Sequence, residues 1–274
     1  KTDFATESGP YAVTFGDFNC DGRPDMAATN YTTNKVSQYF NITTPGASTP
    51  SFGAVSNYTV GTAPSSVTIC DLNADGKPDM AIGNETTNNV SVFMNVMAPG
   101  VASASFSART DIATTAALNF SVIGDFNLDG KPDIAGISSG SGIFSVFTNT
   151  TPTGNSTPSY SSNMNFSIGT GVTGQSISSA DFNGDGKPDI VVGVNGLFRV
   201  SVFLNTTTPG GYPPGFSAKV DLSTGSTVNT GISIADLNGD GKPDIVVAAT
   251  NSAISVFINT TTPGSSTCSR WDIH

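Results

Sequence analysis

The chain has 274 residues, of which 37% are hydrophobic and only 12% are charged. This length permits one large domain or two small ones, and the abundance of Ser, Thr, Asn and Gly with few charges excludes a disordered chain, because disorder usually carries more charge and fewer aromatic residues. The formal net charge of −10 excludes a nucleic-acid-binding surface, and no apolar run reaches the roughly 18 residues of a transmembrane helix.

A nine-residue motif recurs five times along the chain. Its copies read DFNCDGRPD, DLNADGKPD, DFNLDGKPD, DFNGDGKPD and DLNGDGKPD, and they start at Asp17, Asp71, Asp125, Asp181 and Asp236. Oxygen-bearing side chains stand at positions 1, 3, 5 and 9, and a Gly at position 6 permits a sharp left-handed turn. Calcium takes about six to eight oxygen ligands from carboxylates, amides and a backbone carbonyl. Each copy is therefore a predicted calcium loop.

We predict about five calcium ions, one per repeat, and the loop positions indicate which residues bind them. Fifteen of the 21 acidic residues occupy positions 1, 5 and 9, so bound metal explains the acidity better than a basic partner does. The predicted ligands are the side chains at positions 1, 3, 5 and 9 and the backbone carbonyl at position 7: Asp17, Asn19, Asp21, Arg23 and Asp25; Asp71, Asn73, Asp75, Lys77 and Asp79; Asp125, Asn127, Asp129, Lys131 and Asp133; Asp181, Asn183, Asp185, Lys187 and Asp189; Asp236, Asn238, Asp240, Lys242 and Asp244.

The motif overlaps the EF-hand consensus, which needs a bidentate Glu at loop position 12 and a helix on each side. Position 12 instead holds residues without a chelating side chain: Ala28, Ile82, Gly136, Val192 and Val247. The flanks are short β-branched runs, such as 231–235 before the fifth loop and 245–248 after it. Each loop is therefore predicted to join two strands of a hairpin, with the second strand starting at the Pro of position 8.

The loops recur at a nearly fixed period, since their first aspartates are 54, 54, 56 and 55 residues apart. Such a period is typical of repeat architectures. A Thr/Pro/Gly-rich connector follows the third strand of the repeats, as at 206–210. Alternating apolar and polar residues predict four strands per repeat, which in the second repeat are placed at 66–70, 80–83, 89–94 and 106–111.

Four-stranded units that repeat radially predict an all-β fold, a five-bladed β-propeller of four-stranded antiparallel blades over residues 1–274. We expect it to form a single domain. A linear solenoid is the alternative, but it would need polar capping units, and the terminal repeats look like the internal ones.

The repeats resemble the FG-GAP/VCBS repeats of secreted bacterial and eukaryotic proteins, and the DxNxDGxPD loops are similar to the calcium loops of integrin α-subunit propellers. The resemblance covers essentially the whole chain and implies calcium between the first two strands of each blade. Family members often have more than five blades, so a fragment of a larger ring is an open alternative. They include adhesion receptors, fungal lectins and domains appended to enzymes, so the fold alone does not settle the function.

No catalytic constellation is recognisable in the sequence. The sole histidine is the last residue, His274, and of the six acids outside the loops only Glu7 and Glu85 are free of the repeat pattern. A general base must be held rigidly within hydrogen-bond reach of its partner, which a chain end does not provide. We expect a secreted or cell-surface, calcium-binding adhesion or structural protein rather than an enzyme, with a protein or glycan ligand. A carbohydrate-binding lectin and a non-catalytic module of a larger receptor or enzyme are the alternatives.

The cysteines leave two alternatives open. Cys20 lies inside the first loop and Cys70 directly precedes the second, so they form either a disulfide or two buried thiols. Cys268 would then be left over and available to pair between molecules.

The sequence contains candidate sugar-binding residues and candidate N-glycosylation sites. Five aromatic residues lie off the repeat pattern and are candidate sugar platforms: Tyr11, Tyr31, Tyr160, Tyr212 and Trp271. Sequons for N-glycosylation, which matter only in a glycosylating source, stand at Asn30, Asn41, Asn57, Asn84, Asn89, Asn119, Asn149, Asn155, Asn165, Asn205 and Asn259.

Both chain ends match the sequence pattern of an outer strand, and the fifth blade needs only one. Residues 1–4 (KTDF) and 270–273 (RWDI) both match the outer-strand pattern of 109–112 (RTDI), although the fifth blade has one outer edge to fill. The spare strand is predicted either to fray or to pair with a blade edge of another molecule, giving head-to-tail self-association.

Overall fold

The computed structural model describes the chain except for residues 102–104, 115–117, 139, 226–227, 250–252, 268–270 and 274. The described residues form 20 β-strands and no helix. None of them therefore belongs to a helix that could cross a membrane. His274, Cys268 and Arg270 lie outside the described residues, so the predictions that concern them stay predictions.

The strands form five four-stranded sheets, and in each sheet the strands neighbour one another in sequence order. The five blades predicted from the repeats are thereby confirmed. The strands are β1 (Pro10–Gly16), β2 (Asp25–Asn30), β3 (Lys35–Tyr39) and β4 (Ser56–Thr59); β5 (Pro64–Cys70), β6 (Asp79–Asn84), β7 (Asn89–Phe93) and β8 (Thr110–Ala113); β9 (Leu118–Gly124), β10 (Asp133–Ser138), β11 (Ile143–Phe147) and β12 (Met164–Ser167); β13 (Thr173–Ala180), β14 (Asp189–Asn195), β15 (Arg199–Phe203) and β16 (Val220–Ser223); β17 (Val228–Ala235), β18 (Asp244–Ala249), β19 (Ala253–Asn259) and β20 (Trp271–Ile273).

The outer strands begin later than predicted. In the second sheet the strand predicted at 106–111 is Thr110–Ala113, and Phe106 forms only an isolated bridge with Asn95. The ring of Phe106 lies edge-on to those of Phe18 and Tyr58, with centroids 5.7 and 5.3 Å away. Aromatic packing therefore holds this residue where the pattern predicted strand pairing.

The outer strand of the fifth sheet is also placed differently from the prediction. Asp272 of β20 pairs with Ile258, whereas the equivalent Asp221 of the fourth sheet pairs with Ser201, three residues earlier in the repeat. Trp271 pairs with Asn259 and packs on Phe182 at 5.8 Å, as the bridge aromatics of other sheets do. Residues 271–273 therefore form the outer strand of the fifth sheet, as the pattern predicted, but its register is shifted by three residues because the Trp side chain takes the place of the bridge aromatic.

The backbone divides into two compact units. The first comprises Lys1–Asn119 and Asn149–Ser161 and holds the first two sheets. The second comprises Phe120–Thr148 and Ser162–His274 and holds the other three, with β9 starting at the boundary.

Each unit has an apolar core between consecutive sheets. In the first unit Phe18 and Val36 of the first sheet pack with Met80 and Ile82 of the second. In the second unit two such clusters follow one another along the three sheets. Fully burying a side chain of this size contributes about 1.5–3 kcal/mol, so packing between these sheets stabilises each unit.

Candidate metal loops and the joints that cover them

The five predicted calcium loops lie between the first and second strands of their sheets. In the first loop Asp17 accepts hydrogen bonds from the backbone N–H of Asp21 at 2.9 Å and of Gly22 at 2.8 Å. Asn19 Oδ1 accepts from the same Asp21 N–H at 3.3 Å, so side-chain oxygens of positions 1 and 3 converge. Gly22 has a φ of 84°, which explains the Gly of position 6.

The other four loops repeat this conformation. The bond from the position 5 N–H to the position 1 carboxylate measures 3.0 to 3.1 Å in them. The bond from the Gly N–H measures 2.7 to 2.8 Å. In all five loops the position 5 carboxylate accepts from the position 7 N–H at 2.9 to 3.1 Å. The main chain thus fixes the donor groups in one shared arrangement.

The aspartate at position 9 is fully buried in every loop. Asp79 accepts from the backbone N–H of Leu72 at loop position 2 and from that of Asn95 after the third strand, both at 2.7 Å. The strand begins at this Asp rather than at the Pro of position 8, which has no N–H to donate. Position 9 therefore ties the loop to its own sheet, while each carboxylate oxygen keeps a further lone pair for a cation.

Burial raises the pKa of Asp79 and of Asp189 to about 7, and the like charges of the other two loop carboxylates act in the same direction. Burial likewise raises the pKa of Asp25. Two backbone N–H groups oppose the shift at each of these aspartates without cancelling it. At these three aspartates the surrounding groups therefore do not offset the burial of the negative charge.

The basic residue at position 7 pairs with the acid at position 5. The distance is 2.7 Å for Arg23 to Asp21, and this contact holds the pKa of Asp21 below its usual range. It is 3.6 to 3.8 Å for the lysines of the second, fourth and fifth loops. Three acids and one base leave each loop at −2, and the six acids and six bases outside the loops balance, so the loops carry the whole net charge of −10.

These donors fit calcium in kind and in charge. Within the described ranges, however, no three Asp, Glu, Cys or His side chains gather into a preformed metal group. In the first and third loops the position 3 amide donates to the position 5 carboxylate, at 3.1 and 3.0 Å. Binding would require these side chains to turn, so the calcium sites stay predictions.

The segments that follow the third strands form a second recurring feature, which we call connectors: 41–46, 95–100, 149–154, 205–210 and 259–264. Each starts with an Asn and ends with a Gly. The Asn95 side chain donates to the backbone carbonyl of Phe18, in the loop of the preceding sheet, at 2.7 Å. The Gly100 N–H donates to the carbonyl of Asn19 at 2.6 Å. We call this pair of hydrogen bonds a joint.

The joint occurs four times. The Asn side chain to the carbonyl at loop position 2 measures 2.7 to 3.0 Å, and the Gly N–H to the carbonyl at position 3 measures 2.6 to 2.9 Å. The position 2 side chains are at most 1% exposed in these four loops. The sequence pattern predicted only a turn residue at this Asn and not its contact with a loop, although the recurrence of Asn at one repeat position was a signal. The Asn and loop pairs are Asn95 with Phe18, Asn149 with Leu72, Asn205 with Phe126, and Asn259 with Phe182.

The same side chains bear on the predicted sequons. Asn149, Asn205 and Asn259 are at most 1% exposed and donate to backbone carbonyls, and Asn30 and Asn84 are also fully buried. In the folded chain these five amides are therefore not accessible to a glycan.

Both described cysteines are free thiols, so the disulfide alternative does not hold in this structure. Cys20 is exposed and Cys70 is half-buried, so the alternative of two buried thiols does not describe Cys20 either. Burial raises the pKa of both thiols, and a nearby loop aspartate adds to each shift.

Two of the five candidate sugar platforms come together. Tyr11 stacks on Tyr31 with ring centroids 5.4 Å apart. The Tyr31 hydroxyl donates to Glu85 at 3.1 Å, and the Asn119 amide donates to the same carboxylate at 3.4 Å. The other three lie apart from this pair. Tyr160 forms a bridge with Asn149, Trp271 is partly buried against the core of the fourth and fifth sheets, and Tyr212 is exposed in its loop.

Models of known repeat families match several segments of this chain. An FG-GAP-like repeat model matches residues 71–136 and 125–192, and an FG-GAP repeat model matches 228–262. The chain belongs to the FG-GAP repeat family. The matched segments cover more than half of the chain and contain the second to fifth loops. No curated protein matches this FG-GAP chain.

Solved structures of β-propeller type resemble it in fold. BBS1N, in a complex with ARL6DN, gives a TM-score of 0.56 at 11% identity, over 94% of this chain and 67% of that chain. A lectin of Agrocybe aegerita that recognises non-reducing terminal N-acetylglucosamine gives 0.57 at 19% identity, over 93% and 64%. The Nup170 N-terminal domain of Chaetomium thermophilum, in a complex with Nup53, gives 0.52 at 10% identity, over 97% and 39%. This FG-GAP chain thus spans about two thirds of the first two, and the likeness shows the β-propeller fold alone.

Proposed function

We propose that this FG-GAP chain is a secreted or cell-surface, calcium-binding β-propeller that acts by binding or as a structural element, without catalysis. The observation that carries the proposal is the charge distribution. Five loops share one backbone arrangement, each has a net charge of −2, and together they hold the entire net charge of the chain. Five divalent cations would neutralise it.

Calcium would be held in the first loop by the side chains of Asp17, Asn19, Asp21 and Asp25 and the carbonyl of Arg23, and equivalently in the other four. The bound ion supplies positive charge to carboxylates that otherwise repel one another. The chain itself keeps position 1 on the backbone N–H groups and position 9 between loop and sheet. Because the connector of the next sheet rests on the loop, an ordered loop would also hold neighbouring sheets together.

The two acids outside the repeat pattern support a non-catalytic role. Glu7 forms an ion pair with Lys35 at 2.7 Å. Glu85 accepts hydrogen bonds from Tyr31 and Asn119. Each carboxylate is therefore engaged in holding its neighbours, and no histidine accompanies either among the described residues, because the sole histidine is residue 274.

Calcium titration by calorimetry on chelator-stripped protein tests this proposal. We expect about five sites. Asp272→Asn is a matched control, because it removes one carboxylate at an exposed position outside the loops and should leave the number of sites unchanged. Absence of any calcium binding by the folded, stripped protein would contradict the proposal.

A glycan is the ligand class that one observation favours. The Tyr11 and Tyr31 pair offers an aromatic surface, and the adjacent Glu85 carboxylate offers an acceptor for sugar hydroxyls. A glycan array with the wild-type chain, Tyr11→Ala and the control Tyr212→Ala tests it: binding lost only in Tyr11→Ala supports a lectin. If glycan binding is unchanged in Tyr11→Ala, the tyrosine pair is not the glycan site. The alternatives are then a protein ligand or a role as a non-catalytic module of a larger receptor or enzyme.

A further inference from the structure

A continuous series of hydrogen bonds connects the metal loops of the fourth and third sheets. The Asn205 N–H donates to Oδ1 of Asp189, the position 9 carboxylate of its own sheet, at 2.7 Å. The Asn205 side chain donates to the carbonyl of Phe126 in the third loop at 3.0 Å. The Phe126 N–H in turn donates to Oδ2 of Asp133, the position 9 carboxylate of that loop, at 2.9 Å. One Asn and one Phe therefore connect two predicted calcium ligands of different sheets, and we call this series of bonds a relay.

The relay occurs again between the fifth and fourth loops, which lie in the same unit. Asn259 donates from its N–H to Asp244 at 2.8 Å and from its side chain to the carbonyl of Phe182 at 2.8 Å. The Phe182 N–H donates to Oδ2 of Asp189 at 2.8 Å, while Oδ1 of Asp189 accepts from Asn205. The two relays therefore meet at one carboxylate, and the third, fourth and fifth loops are connected in series.

The first unit contains the same relay between its second and first loops. The Asn95 N–H donates to Asp79 at 2.7 Å, and the Asn95 side chain donates to the carbonyl of Phe18 at 2.7 Å. The Phe18 N–H donates to Asp25 at 3.0 Å. Because the same bonds recur in both units, the relay is a property of the repeat and not of one sheet.

The groups of the relay are shielded from water. Asp189, Asn205 and Phe126 are at most 1% exposed, and so are Phe182 and Asn259. Hydrogen bonds in such an interior are electrostatically stronger than in water and polarise one another. A buried donor or acceptor that loses its partner is costly. Each member of the relay therefore keeps its orientation only while its neighbours keep theirs.

We propose that calcium binding at neighbouring loops is positively cooperative and that the relay carries the coupling. When a bound ion fixes the carboxylate of Asp189, that carboxylate holds Asn205, and Asn205 holds the third loop at Phe126. The third loop then needs less ordering to bind its own ion, so its affinity for calcium rises. The coupling is reciprocal, so an occupied third loop raises the affinity of the fourth by the same factor.

This inference rests on the proposed function, because it needs loops that bind calcium, and it adds how those loops act together. Coupling between sites typically changes affinity by about 5- to 150-fold, and we expect about fivefold for one neighbouring pair, because a single relay connects the two loops. A coupling of this size weakens a neighbouring site without abolishing it, so the loss of one loop still lowers the number of sites by one. Coupled loops fill over a narrower range of calcium concentration than independent loops, so the sheets of a unit become ordered together.

Hydrogen–deuterium exchange over a calcium series, measured by mass spectrometry on the chelator-stripped chain, follows the loops separately. In the third loop the N–H groups of positions 5, 6 and 7 are bonded to loop carboxylates, so their protection reports how well ordered the loop is. Asp185→Ala removes a predicted ligand of the fourth loop, and the calcium midpoint of protection is read on the third. Asp272→Asn is the control for loss of a carboxylate, because Asp272 is exposed and lies outside the loops.

A second pair of variants tests whether the relay carries the coupling. Asn205→Ala removes the side-chain bond to the third loop. Thr207→Val is its matched control, because the Thr207 hydroxyl is buried in the same connector and bonds to Gly215 rather than to a metal loop. If Asn205→Ala does not fold, Asn259→Ala combined with Asp240→Ala, read on the fourth loop, repeats the test on the other relay of this unit.

We expect Asp185→Ala to raise the calcium midpoint of the third loop about fivefold, and Asp129→Ala to raise that of the fourth loop by the same factor. In an Asn205→Ala background the effect of Asp185→Ala should fall below about twofold, whereas in Thr207→Val it should persist. Unchanged midpoints in Asp185→Ala and Asp129→Ala would overturn the cooperativity, and an effect that survives Asn205→Ala would overturn the relay as its carrier. If calcium protects no loop of the wild-type chain, the proposed function itself fails, which is a different result from independent loops that each respond to calcium.

Discussion

Replacing Asn205 by Ala removes the side-chain hydrogen bond of one joint without changing a predicted metal ligand. The side chain is 1% exposed and makes three hydrogen bonds: to the carbonyl of Phe126 at 3.0 Å, to that of Pro188 at 3.2 Å, and from the N–H of Thr207 at 2.9 Å. A hydrogen bond contributes about 0.5–1.5 kcal/mol net, and a buried partner left unsatisfied costs about 1–3 kcal/mol. The expected loss is therefore about 3 kcal/mol, with more if water does not reach the site.

Urea unfolding at fixed calcium measures this loss. With a slope of about 1–3 kcal/mol per molar urea, the midpoint should fall by roughly 1–3 M. Asn41→Ala is the matched control at the same repeat position, since Asn41 is partly buried and, within the described part of the chain, makes no bond to a preceding loop. In dilute protein we expect it to cost about 1–2 kcal/mol. Equal losses in the two variants would refute the reasoning, because the joint would then contribute nothing of its own.

Three further predictions concern the loops. Excess EDTA should lower the melting temperature, because a site with a dissociation constant of about 0.1 mM contributes about 1.4 kcal/mol at roughly 1 mM calcium, and an unchanged temperature would count against structural calcium. Asp240→Ala should reduce the calorimetric count from about five sites to about four, whereas loss of all binding would mean that the sites depend on one another. In calcium-free protein, the free energy of unfolding should fall as the pH rises from about 4 to about 8. The reason is that Asp79 and Asp189, whose pKa values are raised to about 7 in the folded chain, keep protons that the same carboxyls have already lost in the unfolded chain. A melting temperature that rose over this pH range would contradict the raised pKa values.

The features predicted well from the sequence are the local ones. The order of side chains in DLNADGKPD determines its own turn, because Asp71 reaches N–H groups only four and five residues away. The period of the loops then gives the number of sheets. Both rest on contacts within one repeat.

The features missed depend on contacts between distant residues. The joint links Asn95 to Phe18, 77 residues earlier, and nothing near Asn95 in sequence distinguishes it from a turn residue. Trp271 lies in the outer strand that the pattern predicted, yet its packing on Phe182 shifts the register of that strand so that Trp271 pairs with Asn259. A short motif cannot decide between two sites that demand the same residue types, because the decision depends on which side chain fills the core.

The joint also bears on how such a chain can change in length over evolution. It consists of two hydrogen bonds from a connector to backbone carbonyls. These two bonds therefore do not depend on which side chains the accepting loop carries. A tandem duplication of one repeat of about 55 residues would bring both a donor and an acceptor and would join its neighbours without any new interface having to evolve. The chain can therefore gain or lose repeats by recombination at low cost to folding.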